Sequence, residues 1–136
     1  MNIGFIGLGI MGTPMALHLA AAGHKLFVKT RSKVPADIAS SGAKVCASGD
    51  EVARNSEVIF LMVPDTPDVE LVLFGEGGVA AGLVKGKTVV DMSSISPIAT
   101  KGFAKRVAET GADYMDAPVS GGEVGAKAAS LTIMCG

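Results

Sequence analysis

Three glycines near the start of the chain, Gly7, Gly9 and Gly12, stand in the spacing GxGxxG. Such a spacing lets a backbone turn tightly, expose its amides and bring a helix close to a strand. Gly7 would make the turn, Gly9 would let an anionic group approach the main chain, and Gly12 would admit close helix–strand packing. Taken alone the pattern is weak. Here it follows the apolar run Ile3–Ile6 and opens a helical stretch in which Met11, Met15 and Leu19 recur at i, i+4. Strand, glycine turn and helix in that order predict a diphosphate seated on helix N-terminal amides, as in dinucleotide-binding domains.

The usual companion of this turn is an acidic residue about 20 positions on, which holds the ribose hydroxyls. The second strand-like run, Lys25–Val28, leads instead into Lys29-Thr30-Arg31-Ser32, with no carboxylate. A guanidinium flanked by hydroxyls suits a 2′-phosphate, so NADP is favoured over NAD. The alternatives are a solvated arginine at a strand end, and NAD bound with less discrimination. A third set, Ser120-Gly121-Gly122, offers a hydroxyl and two consecutive amides that can form an anion nest. An ordinary turn is the plainer reading of the same residues.

Other reactive side chains read as structural. His18 sits in mid-helix as a packed or solvated residue, and His24 follows Gly23 at a helix end, where histidine commonly meets free carbonyls. Asp91 and Asp116 end strands near the site without a reason to pair them as acid and base. Met62, Met92 and Met115 read as core fillers. Cys46 and Cys135 are too few and too far apart for a disulfide framework or a zinc knuckle.

The elements that must position these groups alternate along the whole chain. Strand candidates are Ile3–Ile6, Lys25–Val28, Lys44–Cys46, Val58–Val63, Thr88–Met92, Asp113–Asp116 and Leu131–Met134. Helices are predicted over Met11–Ala22 and Ala36–Ser41, after the capping-box sequence Ser48-Gly49-Asp50-Glu51, and after Thr66-Pro67 and Ser96-Pro97. Gly75–Gly82 reads as a loop. This alternation predicts an α/β fold with a doubly wound, mostly parallel sheet of Rossmann type. The last strand runs straight into Gly136, so the sheet is expected to be incomplete at its C-terminal edge and the chain to be a fragment.

Bulk properties agree. With 136 residues, 49% hydrophobic, 4% aromatic and no Trp, the chain suits one domain (residues 1–136) with an aliphatic core. A net charge of −1 without blocks of like charge argues against nucleic-acid and anionic-membrane partners. The longest run of large apolar residues, Val58 to Val63, is far short of the roughly 20 that a membrane helix needs. A strand starting at Asn2 leaves no room for a signal peptide, so a soluble cytoplasmic protein is expected.

Three further motifs follow the later strands: Val63-Pro64-Asp65-Thr66-Pro67, Asp91-Met92-Ser93-Ser94-Ile95-Ser96-Pro97, and Asp116-Ala117-Pro118-Val119-Ser120-Gly121-Gly122. Together with the opening Phe5–Ala16, they make the chain resemble the β-hydroxyacid dehydrogenases, which include 3-hydroxyisobutyrate dehydrogenase and 6-phosphogluconate dehydrogenase. The resemblance implies that Gly7, Gly9, Ile10, Met11 and Gly12 line the diphosphate, and that Thr30 and Arg31 meet the adenosine ribose. It sets Val63, Pro64 and Asp68 beside the nicotinamide half, Ser94 on its ribose or carboxamide, and Ser120, Gly121 and Gly122 on a substrate carboxylate.

The activity so implied is NAD(P)-dependent reduction of a small 3-oxo acid, such as tartronate semialdehyde, to a hydroxy acid. Alternatives are reduction of glyoxylate or succinic semialdehyde, or oxidation of 3-hydroxyisobutyrate. A noncatalytic dinucleotide-binding module is the rival from another class. In the family a lysine of a later helical GxxxK motif is the general acid, and Lys127 comes too soon to be it. No catalytic residue is therefore assigned within 1–136. A C-terminal helical domain that closes the cleft and builds a homo-oligomer is expected beyond Gly136.

Overall fold

Short apolar runs separated by helices give a three-layer α/β domain in the computed structural model, which describes Met1–Gly136. The strands are β1 (Asn2–Ile6), β2 (Lys25–Lys29), β3 (Lys44–Val45), β4 (Val58–Leu61), β5 (Thr88–Asp91) and β6 (Asp113–Asp116), and they form one parallel sheet in the order β3-β2-β1-β4-β5-β6. This is the doubly wound arrangement. The chain runs outward from β1 to β3, then crosses back to β4 beside β1, leaving a crevice between the carboxyl ends of β1 and β4.

Alternate side chains feed two cores. Ile59, Leu61 and Val89 face α3 (Gly49–Asn55), α4 (Thr66–Phe74) and α5 (Pro97–Ala108), where Val52, Val69, Leu73, Phe103 and Val107 are buried. Ile3, Phe5, Leu26, Val28 and Val90 face the other way, towards Met15 and Ala16 of α1 (Gly12–Ala21), Ile38 of α2 (Ala36–Ser40) and Ala126 of α6 (Gly122–Ala128). A parallel sheet covered on both faces explains why its strands read as unbroken apolar runs. No helix is long and apolar enough to cross a membrane.

Three helices, α3, α4 and α5, start at side-chain caps from Ser48, Asp65 and Ser96. Ser48 Oγ accepts from the Glu51 amide at 3.4 Å, while Glu51 Oε2 accepts from Ala47 N at 2.8 Å, one residue ahead of the reciprocal partner of a standard capping box. At α4 the box is complete and belongs to Asp65 and Asp68, with Pro67 in the first turn.

Two expectations are corrected and one helix is added. The seventh strand candidate does not join the sheet: only Thr132–Ile133 (β8) is extended, and it pairs antiparallel with Val119–Ser120 (β7) in a separate two-stranded ribbon. Between these two strands lies α6, a Gly- and Ala-rich helix with no apolar periodicity to announce it. Within the expected Gly75–Gly82 loop, Val79–Gly82 is a 3₁₀ turn whose Val79 is fully buried against the α3 core.

Candidate functional site

The glycine turn lies between the end of β1 and the first turn of α1. Gly7 has φ +102°, and its amide donates to Lys29 O at 3.1 Å, tying the turn to the end of β2. A Cβ on Gly7 would collide with the Met62 carbonyl, and one on Gly12 with the Gly7 carbonyl. Both are glycine because the protein's own backbone fills the space. Gly9 differs: a Cβ there would meet nothing within 4 Å. Nothing in the protein requires glycine at that position, whereas a ligand lying on the backbone would. The amides of Gly9, Ile10, Met11 and Gly12 donate to no protein acceptor. Thr13, which the sequence did not single out, pins the turn by donating from Oγ1 to Leu8 O at 2.9 Å. Four free amides at a helix start, where the helix dipole adds its positive end, form a seat for an anion.

A cavity of about 690 Å³ opens over this turn along the carboxyl edge of the sheet. Gly7, Gly9, Ile10, Met11, Gly12, Thr30, Arg31, Val63, Pro64, Asp68 and Ser94 all line it, so every residue assigned to the dinucleotide from sequence comes together here. The volume lies within the ordinary range for ligand sites. Ile10 is 69% exposed at its mouth, an apolar side chain with no partner in the protein. Lys29, Ser48 and Gly77 also line the cavity, and the sequence marked them only as a strand end, a helix cap and a loop residue. Met62 also lines the cavity, so it is more than a core filler.

The other end is set by a buried polar relay. Asp91, fully buried at the end of β5, accepts from the Tyr114 hydroxyl at 2.7 Å and from Ser93 N at 3.0 Å. Ser93 Oγ in turn accepts from Val63 N at 3.0 Å. The turn carrying Val63 and Pro64 is thus fastened to the strand that carries Ser94. Burial, followed by the bond to the Asp91 carboxylate, pushes the Tyr114 phenol well above the usual tyrosine range.

Asp68 Oδ1 lies 3.1 Å from Arg31 Nη1, so within the cavity its carboxylate faces the residues that follow β2. Its Oδ2 accepts from Asp65 N at 3.1 Å, which fixes it in the first turn of α4.

Ser120, Gly121 and Gly122 do not line this cavity. Ser120 is exposed at the end of β7, and Gly121 (φ +134°) and Gly122 (φ +61°) make the turn into α6. Of the two histidines, His18 is solvent-exposed in mid-helix, as read, and only His24 differs from expectation. His18 Nε2–H donates to Ala126 O at 2.8 Å and Lys127 O at 3.1 Å, linking α1 to the end of α6. His24 finds no carbonyl, and its buried Nδ1 has no partner.

Sheet order, glycine turn and cleft together define a dinucleotide-binding Rossmann domain. Residues 2–136 match the family described as the NAD binding domain of 6-phosphogluconate dehydrogenase, and the chain belongs to that family. It is 59% identical over 136 residues to 2-hydroxy-3-oxopropionate reductase of Escherichia coli (strain K12), covering 100% of this chain and 47% of that protein. To 2-(hydroxymethyl)glutarate dehydrogenase of Eubacterium barkeri it is 45% identical, again over 100% of this chain and over 46% of that protein. A solved 3-hydroxyisobutyrate dehydrogenase of Mycobacterium tuberculosis with L-serine superposes with a TM-score of 0.89 at 32% identity, covering 99% of this chain and 46% of that one. A structure described as Psf3 in complex with NADP+ and 2-OPP gives a TM-score of 0.88 at 32% identity, over 98% of this chain and 48% of that one. The chain spans about half the length of the relatives it matches.

Proposed function

We propose that this chain is the nucleotide half of an NAD(P)-dependent oxidoreductase that reduces a small 3-oxo acid, 2-hydroxy-3-oxopropionate (tartronate semialdehyde) before others, to the hydroxy acid. The observation that carries the reading is the turn at Gly9, where an open backbone and free amides face a cavity lined by the residues the motif requires. Similarity to 2-hydroxy-3-oxopropionate reductase across the whole chain supports the substrate class.

The bound nicotinamide supplies the hydride. The residues of this chain hold and orient. Gly9, Ile10, Met11 and Gly12 offer amides to the diphosphate, and Thr30 and Arg31 meet the adenosine ribose. Arg31, in place of a carboxylate, favours NADP over NAD. Val63, Pro64 and Ser94, braced by Ser93 and Asp91, border the nicotinamide end. Ser120 and the amides of Gly121 and Gly122 take the substrate carboxylate, at the turn into α6 beyond the cofactor cavity. The proton for the carbonyl oxygen comes from a lysine outside residues 1–136, in the part of the molecule that closes the cleft.

The test is NADPH and NADH oxidation by the whole protein containing this chain, with tartronate semialdehyde, glyoxylate and succinic semialdehyde offered separately, and with uncharged analogues. Turnover of the acids, fastest with tartronate semialdehyde and lost with the analogues, is expected. Equal rates on acids and uncharged analogues would remove the carboxylate site. No turnover beside intact cofactor binding would favour a binding module.

A further inference from the structure

The mouth of the cavity carries an ion pair whose members come from opposite lips. Arg31 follows β2, and Asp68 sits in the first turn of α4. Two carboxylates, Asp68 and Glu76, line the cavity, and only Asp68 is bonded to a cation. The two ends of the pair are unequally fixed. The Arg31 side chain is 71% exposed and has Asp68 as its ion-pair partner, whereas that of Asp68 is 22% exposed and held by the Asp65 amide. The arginine that would meet a 2′-phosphate is therefore drawn towards an anchored anion of the protein itself.

We propose that Asp68 is a specificity-determining residue that restrains the preference for NADP. Its carboxylate occupies the Arg31 guanidinium when no 2′-phosphate is present, and a phosphate entering the same place must displace it. NADP breaks this pair to gain its own, and it also enters beside a negative charge. NAD, without the phosphate, leaves the pair intact. The net effect is to narrow the gap between the cofactors, so that a site with an arginine and no ribose-binding acid after β2 still accepts NADH. As an exposed pair it adds little to folding, and its consequence lies in how available Arg31 is. This inference rests on the proposed reading of Arg31 as the partner of the 2′-phosphate.

The test is fluorescence titration of NADPH and NADH into the whole protein carrying Asp68→Asn, Arg31→Ala or both. Asn keeps a carbonyl oxygen for the Asp65 amide, so the α4 cap survives, and an unchanged melting temperature checks this. Asp68→Asn should raise the NADPH-over-NADH affinity ratio by about three- to tenfold, through tighter NADPH binding with NADH unchanged. The gain should vanish in the Arg31→Ala background and shrink at high salt. If Arg31→Ala weakens NADPH but Asp68→Asn leaves the ratio unchanged, or weakens both cofactors alike, Asp68 is not a selector and this inference falls alone. If Arg31→Ala leaves NADPH binding unchanged, the reading of Arg31 fails and takes the inference with it.

Discussion

Asp91 illustrates how a carboxylate beside the cleft can be wholly taken up by the fold. Both its oxygens are engaged, one by the Tyr114 hydroxyl and one by Ser93 N, and the residue is wholly buried. Tyr114→Phe leaves that carboxylate short of a donor and should cost about 1–3 kcal/mol in urea unfolding, the penalty of an unsatisfied buried acceptor. The pH dependence has a definite sign. The folded state raises the phenol above its ordinary value of 10.0, so the native form keeps a proton that the unfolded form releases. This contribution is fully present below pH 10.0 and is lost as pH rises above it. The stability difference between the parent and Tyr114→Phe should therefore be flat through neutral pH and close at strongly alkaline pH. A difference that grows there would contradict the assignment. At the substrate end, Ser120→Ala in the whole protein removes one hydroxyl donor to a charged group. We expect about ten- to a hundredfold lower kcat/KM for the acid substrate, equivalent to about 1.5–3 kcal/mol, with the cofactor Kd unchanged.

At the scale of elements, the helix that supports the crevice is capped from a distance. Lys87, just ahead of β5, donates from Nζ to Ala53 O at 2.7 Å, Arg54 O at 3.2 Å and Ser56 O at 2.7 Å. These carbonyls end α3, where a cation also meets the negative end of the helix dipole. Lys87→Ala should lower stability by about 1–2 kcal/mol, while Lys85→Ala, which loses no such bonds, should stay within about 0.5 kcal/mol. Equal effects on thermal unfolding would contradict the cap. This cap was illegible in the sequence, because it joins a lysine to carbonyls of a distant element. The parallel strands were legible, since burial on both faces writes them as apolar runs. Their ends were overread for a physical reason. Met62 and Val63 are apolar like β4, yet they line the cavity. The β7–β8 ribbon is too short for any period to show. Similarly, the glycine turn and the strand-end motifs marked residues that line the cleft, whereas the Arg31–Asp68 pair joins two elements far apart in the chain.

For the molecule as a whole, sheet order puts the carboxyl ends of β1, β4 and β5 along one edge, and the cleft there runs from the free amides of the glycine turn to the Val63 turn braced by Ser93 and Asp91. This cleft is expected to bind a nicotinamide dinucleotide along the Gly9 backbone. Titration of NADPH into the protein and into Gly9→Val, followed by cofactor fluorescence with thermal unfolding in parallel, tests it most directly. A valine at Gly9 meets no protein atom at its Cβ, so the unliganded fold should melt within a few degrees of the parent. Its methyl groups stand where the diphosphate would approach, so affinity should fall by at least about tenfold, and the stabilisation that NADPH gives the parent should disappear. Saturable NADPH binding of undiminished affinity in a folded Gly9→Val protein would contradict the account.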